Sequence, residues 1–232
     1  MVRLAVDEVV QSGQIIGLSP EHQHYLAAVM RRQEGDPIEV LSVGGLVFRA
    51  VILLGATALR VTEQMGRAWK PRRHITLYQA LLKGDHFSEV VDRASQAGVS
   101  LIVPIVTDRT IVRDVRPQRE NRWRAIAKEA SEQSQRASIL EIGPCTLLKE
   151  VALLDGSKGF VLHPHPAKSH HSKKPWLEAD ANPVALLVGP EGGFSADEVS
   201  CLEQKQFEPL SLGPSVYRSE NAGAFASVLF LQ

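Results

Sequence analysis

The residues best suited to chemistry lie in two stretches near the C-terminus. The first is Val184-Ala-Leu-Leu-Val-Gly-Pro-Glu-Gly-Gly-Phe-Ser195, an apolar run that stops at Gly189-Pro190 and turns through Gly192-Gly193. Ser195 and Glu198 follow with capping-box spacing, which predicts a helix start there. The second is Leu210-Ser-Leu-Gly-Pro-Ser-Val-Tyr-Arg-Ser-Glu-Asn221, again a glycine loop after an apolar strand and before an alanine-rich helical segment. A strand, a glycine loop and a helix N-terminus in succession form a ligand-binding arrangement of α/β proteins. Glycines there let backbone approach a ligand with no Cβ between them. Two such loops predict one pocket built from both. Neither G-x-G-x-x-G after a strand nor G-x-x-x-x-G-K-[ST] occurs, which argues against a dinucleotide dehydrogenase and a P-loop nucleotidase.

Other reactive residue types are less organised. His163, His165, His170 and His171 are interleaved with prolines and lysines. That composition reads as a loop, and no metal is expected, because metal sites need ligands held by a rigid surrounding shell. Cys145 and Cys201 fit neither a zinc pattern nor a disulfide framework, and a reducing cytoplasm is the simplest setting. Arg3, Asp7 and Glu8 leave no signal-peptide pattern at the N-terminus, and no apolar window is long enough to cross a membrane. Lys+Arg and Asp+Glu both number 26, so net charge says nothing about partners. Its distribution says more. Arg67, Lys70, Arg72 and Arg73 form one basic island, residues 109 to 124 carry six arginines, and Lys168, Lys173 and Lys174 form a third. Such islands are compatible with nucleic-acid binding on one face and equally with solvated loops.

The elements that must position the two loops alternate between strand and helix. His74 to Leu82 reads as a strand, and a helix from about Asp85 follows with Phe87, Val90, Val91, Ala94 and Ala97 at helical spacing and Gly98 as its cap. Val99 to Val106 is a second, nearly continuous apolar strand, making a right-handed βαβ unit. A helix over Arg119 to Ser138, strands over Phe160 to His163, Val184 to Val188 and Phe207 to Leu212, and a helix over Ser195 to Gln204 complete the pattern. Ala222 to Leu231 is apolar all round, hence buried or docked on a partner. The expected class is α/β with a mostly parallel sheet. Ahead of it, Ser19-Pro20 predicts a short helix to about Met30. Runs Pro37 to Val43, Leu46 to Leu54 and Ala58 to Glu63 predict strands of a small β-barrel, with Gly44-Gly45 as a hairpin turn. Gln64 to Arg73 reads as the linker, which places a small domain over 1–68 and a larger one over 69–232.

The motif Gly189-Pro-Glu-Gly-Gly-Phe-Ser195 with Leu212-Gly-Pro-Ser-Val-Tyr-Arg-Ser-Glu-Asn-Ala222 resembles the paired motifs of RsmE-type enzymes. These are SPOUT-class methyltransferases acting on N3 of a uridine in bacterial 16S ribosomal RNA. Gln79 to Asp85, Ala94 to Pro104, Glu129 to Arg136 and His24 to Asp36 resemble further blocks of that family in the same order, over nearly the whole chain. The resemblance implies a PUA-like barrel followed by an α/β domain threaded into a trefoil knot. It also implies S-adenosylmethionine as cofactor, a homodimer, and 16S rRNA as partner, within the assembled small ribosomal subunit. The chain departs from the family at Tyr217-Arg-Ser-Glu-Asn221, where Leu-Arg-x-Glu-Thr is usual, and its last helix ends early, at Gln232.

By the same resemblance, Gly189, Gly192, Gly193, Leu212 and Gly213 offer backbone to the adenosine, and Leu162, Val188, Val216 and Tyr217 offer apolar contact. Glu191 and Asn221 join this cofactor set. Arg218 carries the catalytic expectation, as a cation that favours the deprotonated base; a salt bridge with Glu220 is its bland alternative. Glu191, Glu220 or bulk water could take the proton. Lys83, Gln133 and Arg136 are candidates for RNA contact. Arg31 and Arg32 either contact phosphate or complement a helix C-terminus. Two other readings stay open: a SPOUT ribose 2′-O-methyltransferase, and an RNA-binding protein that keeps the fold without catalysis.

Overall fold

The computed structural model describes residues 2–163, 176 and 182–231. His165, His170 and His171, with the third basic island, lie outside them. The chain divides into two units, 1–70 with 132–138, and 71–131 with 139–232.

The first unit is one sheet of five strands: β1 (Arg3–Ala5), β2 (Ile15–Gly17), β3 (Pro37–Leu41), β4 (Leu46–Leu53) and β5 (Ala58–Arg67), in the order β1-β3-β4-β5-β2. β3 and β4 are antiparallel, and the turn between them needs two left-handed residues, supplied by Gly44 (φ 86°) and Gly45 (φ 82°). Two register shifts between β4 and β5 add the twist that curls a sheet toward a barrel. β5 continues to Arg67, so the first four residues of the predicted linker, Gln64 to Arg67, are instead strand. β1 and β2 escaped the sequence reading because three residues are too few for a period to show. Ser19 caps α1 (Pro20–His24), accepting from the His22 N–H at 3.2 Å, and a π-helical turn Tyr25–Val29 continues it. Leu4, Ile16, Leu26, Ile38, Val40, Ile52 and Leu59 fill the core. Residues 132–138 are stitched into this unit. Arg3 donates to the Gln135 carbonyl at 2.7 Å, and the Ala5 N–H to Glu132 at 3.2 Å.

The second unit holds a sheet in the order β12-β10-β11-β6-β7-β8, built from β6 (Ile75–Ala80), β7 (Leu101–Val106), β8 (Glu141–Ile142), β10 (Lys158–Leu162), β11 (Val184–Val188) and β12 (Phe207–Leu210); β9 (Thr146–Leu147) also pairs with β7. Every one of these pairings is parallel. Parallel strands are covered on both faces, and β11 shows it residue by residue. Val184, Leu186 and Val188 join the core beneath α2 (His86–Ala97) and α5 (Ser219–Leu231). Ala185 and Leu187 join the opposite core, with Leu202 of α4 (Ala196–Gln204). Each fully buried leucine contributes on the order of 2 kcal/mol. Gly98 ends α2 in the left-handed region (φ 92°), as its glycine predicted. α3 (Pro117–Gln133) stops five residues short of the predicted end, where Gln135 turns left-handed (φ 59°) and the chain joins the first unit. Gly223 lets α5 lie directly on β6, since a Cβ there would sit 2.8 Å from the Leu77 side chain. α5 is not buried all round: Phe225 (47% exposed) and Val228 (42%) face outward.

Candidate active site

At the carboxyl ends of β10, β11 and β12 lies a cavity of about 690 Å³. This is the end of a parallel sheet at which ligands bind. Both glycine loops line it, as their spacing predicted. The first contributes Gly189 to Phe194, the second Leu212 and Ser215 to Glu220, with Leu162 between. Of the expected cofactor residues, Leu162, Val188, Gly189, Glu191, Gly192, Gly193, Leu212, Val216 and Tyr217 border the cavity; Gly213 and Asn221 do not. Gly213 instead turns the loop with φ 118°, and the Asn221 N–H is engaged by the Arg218 carbonyl at 3.0 Å.

The first loop is held on all sides. The Gly193 N–H donates to the Pro190 carbonyl at 2.8 Å. The Lys83 N–H donates to the Glu191 carboxylate at 3.2 Å, and Arg109 donates to the Gly192 carbonyl at 2.6 Å. The capping box of α4 forms: Ser195 Oγ accepts from the Glu198 N–H, and Glu198 accepts from the Ser195 N–H at 2.8 Å. The other Glu198 oxygen accepts from the Asp108 N–H at 2.8 Å, and Ser195 Oγ donates to Asp108 at 2.9 Å. A Cβ on Gly189 would meet the Phe194 ring at 3.2 Å and Gly193 backbone at 3.3 Å, so any other residue there would push the turn open by a few tenths of an ångström.

A buried bridge joins the loops. Gln79, fully buried on β6, donates from Nε2 to Ser219 Oγ at 3.0 Å, and Ser219 Oγ donates to the Gly189 carbonyl. One side chain thereby links the first loop, the start of α5 and the central strand. Neither Gln79 nor Ser219 carried a role in the sequence reading, and neither did His86 or Arg109, which also line the cavity. A single glutamine in an apolar strand gives no periodic signal; only the parallel pairing of β6 with β11 brings Gln79 beside Val188.

The second loop leaves its charged groups open. The Arg218 side chain is 84% exposed, Glu220 only 11%, and they stand 3.9 Å apart. At that separation and exposure the pair is worth little, so Arg218 is not consumed by it. Val216 is 66% exposed, and Tyr217 meets Phe225 edge to face at 5.1 Å. Lys83 and Gln133 are exposed. Arg31 is exposed and left-handed (φ 50°), and Arg32 is half-buried. Arg136 corrects an expectation: it is 2% exposed, and burial lowers its guanidinium pKa to about 10, so it is a core cation and not a surface contact.

Residues 69–231 match the RNA methyltransferase domain family. A ribosomal RNA small subunit methyltransferase E from Synechocystis is 30% identical over 96% of this chain and 74% of its own length. The chain belongs to the ribosomal RNA small subunit methyltransferase E family. A second member, from Rickettsia conorii, is 26% identical over 90% of this chain and 85% of its own. A Legionella pneumophila methyltransferase solved with bound S-adenosylmethionine is 28% identical, covers 99% of this chain and 96% of its own, and superposes with a TM-score of 0.85. The family enzyme of Neisseria gonorrhoeae, at 22% identity and a TM-score of 0.86 over 98% and 95%, shares the fold. Family membership favours the methyltransferase reading over the third one, an RNA-binding protein that keeps the fold without catalysis, and gives the glycine-loop cavity its context.

Proposed function

We propose that the protein methylates N3 of a uridine in 16S rRNA, with S-adenosylmethionine as donor. The observation that carries this is the single cavity formed by both glycine loops, with Arg218 and Glu220 at its edge, in a chain of the methyltransferase E family. The residues fit the cofactor. A volume of about 690 Å³ suits a molecule of that size. Leu162, Val188, Leu212, Val216 and Tyr217 offer apolar surface to the adenine, and Gly189, Gly192 and Gly193 offer backbone unobstructed by Cβ atoms. The Glu220 carboxylate complements a cationic sulfonium.

When bound, the cofactor supplies an electrophilic methyl group. The chain's own residues do the rest. Arg218 places a cation beside the uracil, favouring loss of the N3 proton and holding the resulting anion. Glu220 or solvent takes the proton. The loops hold donor and acceptor in line, which supplies much of the rate. Arg31, Arg32, Lys83 and Gln133 are the RNA contacts of this reading. Val216, Tyr217, Phe225 and Val228 form an exposed apolar surface that supports a homodimer, and the reading includes a trefoil knot and a cytoplasmic setting. Among the described residues no helix is long and apolar enough to cross a membrane.

Incubating the protein with labelled S-adenosylmethionine and small ribosomal subunits that lack the modification tests the proposal. The expected product is N3-methyluridine in 16S rRNA. Label on a ribose would replace this reading with 2′-O-methylation, and absence of label would remove both.

A further inference from the structure

Six arginines lie between residues 109 and 124; Arg109 holds the first glycine loop, and the other five have no part in the reaction. Three of them, Arg113, Arg116 and Arg119, line a surface hollow of about 560 Å³ together with Val112, Asp114 and Gln118. The hollow is a formed feature. Its loop is pinned at the start by two buried threonines, with the Thr107 N–H donating to Thr110 Oγ1 at 3.0 Å. Arg113 donates to the Asp108 carbonyl at 3.2 Å, and Arg119 donates to the Gly84 carbonyl at 2.6 Å while stacking over Trp123 at 5.3 Å.

Both anchors lead to the rim of the glycine-loop cavity. Asp108 precedes Arg109, which lines that cavity and holds Gly192. Gly84 lies two residues from His86, which lines it too. Steps of one and two residues are about 4 to 8 Å. The hollow and the cavity are therefore neighbours within the second unit.

The charge balance there calls for an anion. Asp85 is paired with Arg122 at 2.6 Å, Glu120 with Arg124, and Asp108 accepts from Ser195. Asp114 is the one carboxylate in the lining. Arg116 is exposed and has no ion pair among the described residues. Arg116 and Arg119 also sit at the N-terminal end of α3, where the helix macrodipole disfavours cations. Arg119 and Arg122 have compensating partners in Gly84 and Asp85, whereas Arg116 has no ion pair among the described residues, and a local rule broken in this way is expected at functional surfaces. Planar guanidiniums in a shallow hollow match phosphate oxygens bidentately.

We propose that this hollow binds the phosphodiester backbone of the substrate RNA, leading the strand to the mouth of the cavity. The proposal rests on the RNA reading above but concerns a surface that reading does not use. Phosphate contacts position a strand without reading its sequence, so the effect of losing them is uniform across sequences.

The test uses the full chain, protein-free unmodified 16S rRNA, and intact small subunits. Binding is measured between about 50 and 200 mM salt for the parent, for Arg116→Gln and for Arg113→Gln with Arg116→Gln. The double variant is expected to bind the RNA about tenfold or more weakly. Its log affinity against log salt should flatten by roughly 0.7 per arginine removed, with S-adenosylmethionine affinity unchanged. An unchanged melting temperature is expected of Arg116→Gln, since Arg113→Gln also removes the bond to the Asp108 carbonyl. Arg116→Gln, which removes no anchoring bond, should give about half of that change in slope. Parent-like affinity and slope in both variants overturn the proposal. So does weakened binding to intact subunits alone, which would assign the surface to a ribosomal protein. A parent that binds RNA and transfers no methyl group to free RNA or to subunits overturns the function proposed above and leaves this surface standing; a parent that binds neither the free RNA nor intact subunits overturns both.

Discussion

The two glycine loops share a plan and differ in how much of it is already made. The first, Gly189 to Ser195, is clamped from four directions: by Lys83 on Glu191, Arg109 on Gly192, the capping box at Ser195, and Ser219 on the Gly189 carbonyl. The second, Leu212 to Asn221, carries Arg218 and Val216 largely exposed. Its side-chain hydrogen bonds join Ser211 to Gly213, Ser219 to Gln79 and Gly189, and Arg93 to the Glu220 carbonyl, and none of them holds the Arg218 or Val216 side chain. The contrast separates two jobs. A loop that must present backbone in a fixed geometry is rigidly preorganised. A loop that meets a macromolecular substrate or a second copy of the chain keeps its charged and apolar groups facing outward until that contact forms.

The sharpest way to break this division is Arg218→Ala. If the second loop does chemistry, kcat should fall about 10²- to 10³-fold, while calorimetry shows the cofactor still binding and the melting temperature unchanged. A variant that loses cofactor affinity instead would move Arg218 into the scaffold. Next in size is Gln79→Leu, which removes the donor to Ser219 while keeping volume in the core. Loosening the bridge should raise KM for S-adenosylmethionine roughly 3- to 10-fold, the worth of about one hydrogen bond, with kcat at saturation changed much less. A purely structural glutamine would lower the melting temperature and leave KM alone. The smallest expected effect is that of Ser195→Ala. Loss of the N-cap costs about 1 kcal/mol, or a fall of roughly 2 to 4 °C in melting temperature for a protein of this size, because α4 buttresses the first loop without touching the cavity's contents.

Much of the larger unit was legible because its signals are local. The apolar run of β11, its stop at Gly189-Pro190 and the Ser195/Glu198 spacing lie within one stretch, and each formed as read. The same holds for α2 and its Gly98 cap. What escaped notice is non-local. Gln79, Gly189 and Ser219 meet only through strand pairing across the sheet, and Arg109 reaches Gly192 from a loop with no secondary structure. Burial was equally invisible: Arg136 belongs to a run that looks charged and exposed, yet folds inward. Asn221, singled out because it departs from the family's threonine, is absent from the cavity lining, which includes its neighbours Glu220 and Ala222.

The stitching of residues 132–138 into the first unit has a consequence for the order of events during synthesis. That unit begins the chain, yet its full set of contacts includes the Arg3 bond to Gln135 and the Ala5 bond to Glu132. A nascent chain can assemble the five strands early, but these last tethers wait until residue 138 has left the ribosome, when β6 and β7 are already made. Domains generally complete from the N-terminus forward. Here the leading unit finishes only after part of the trailing one, which ties the maturation of the two together in time.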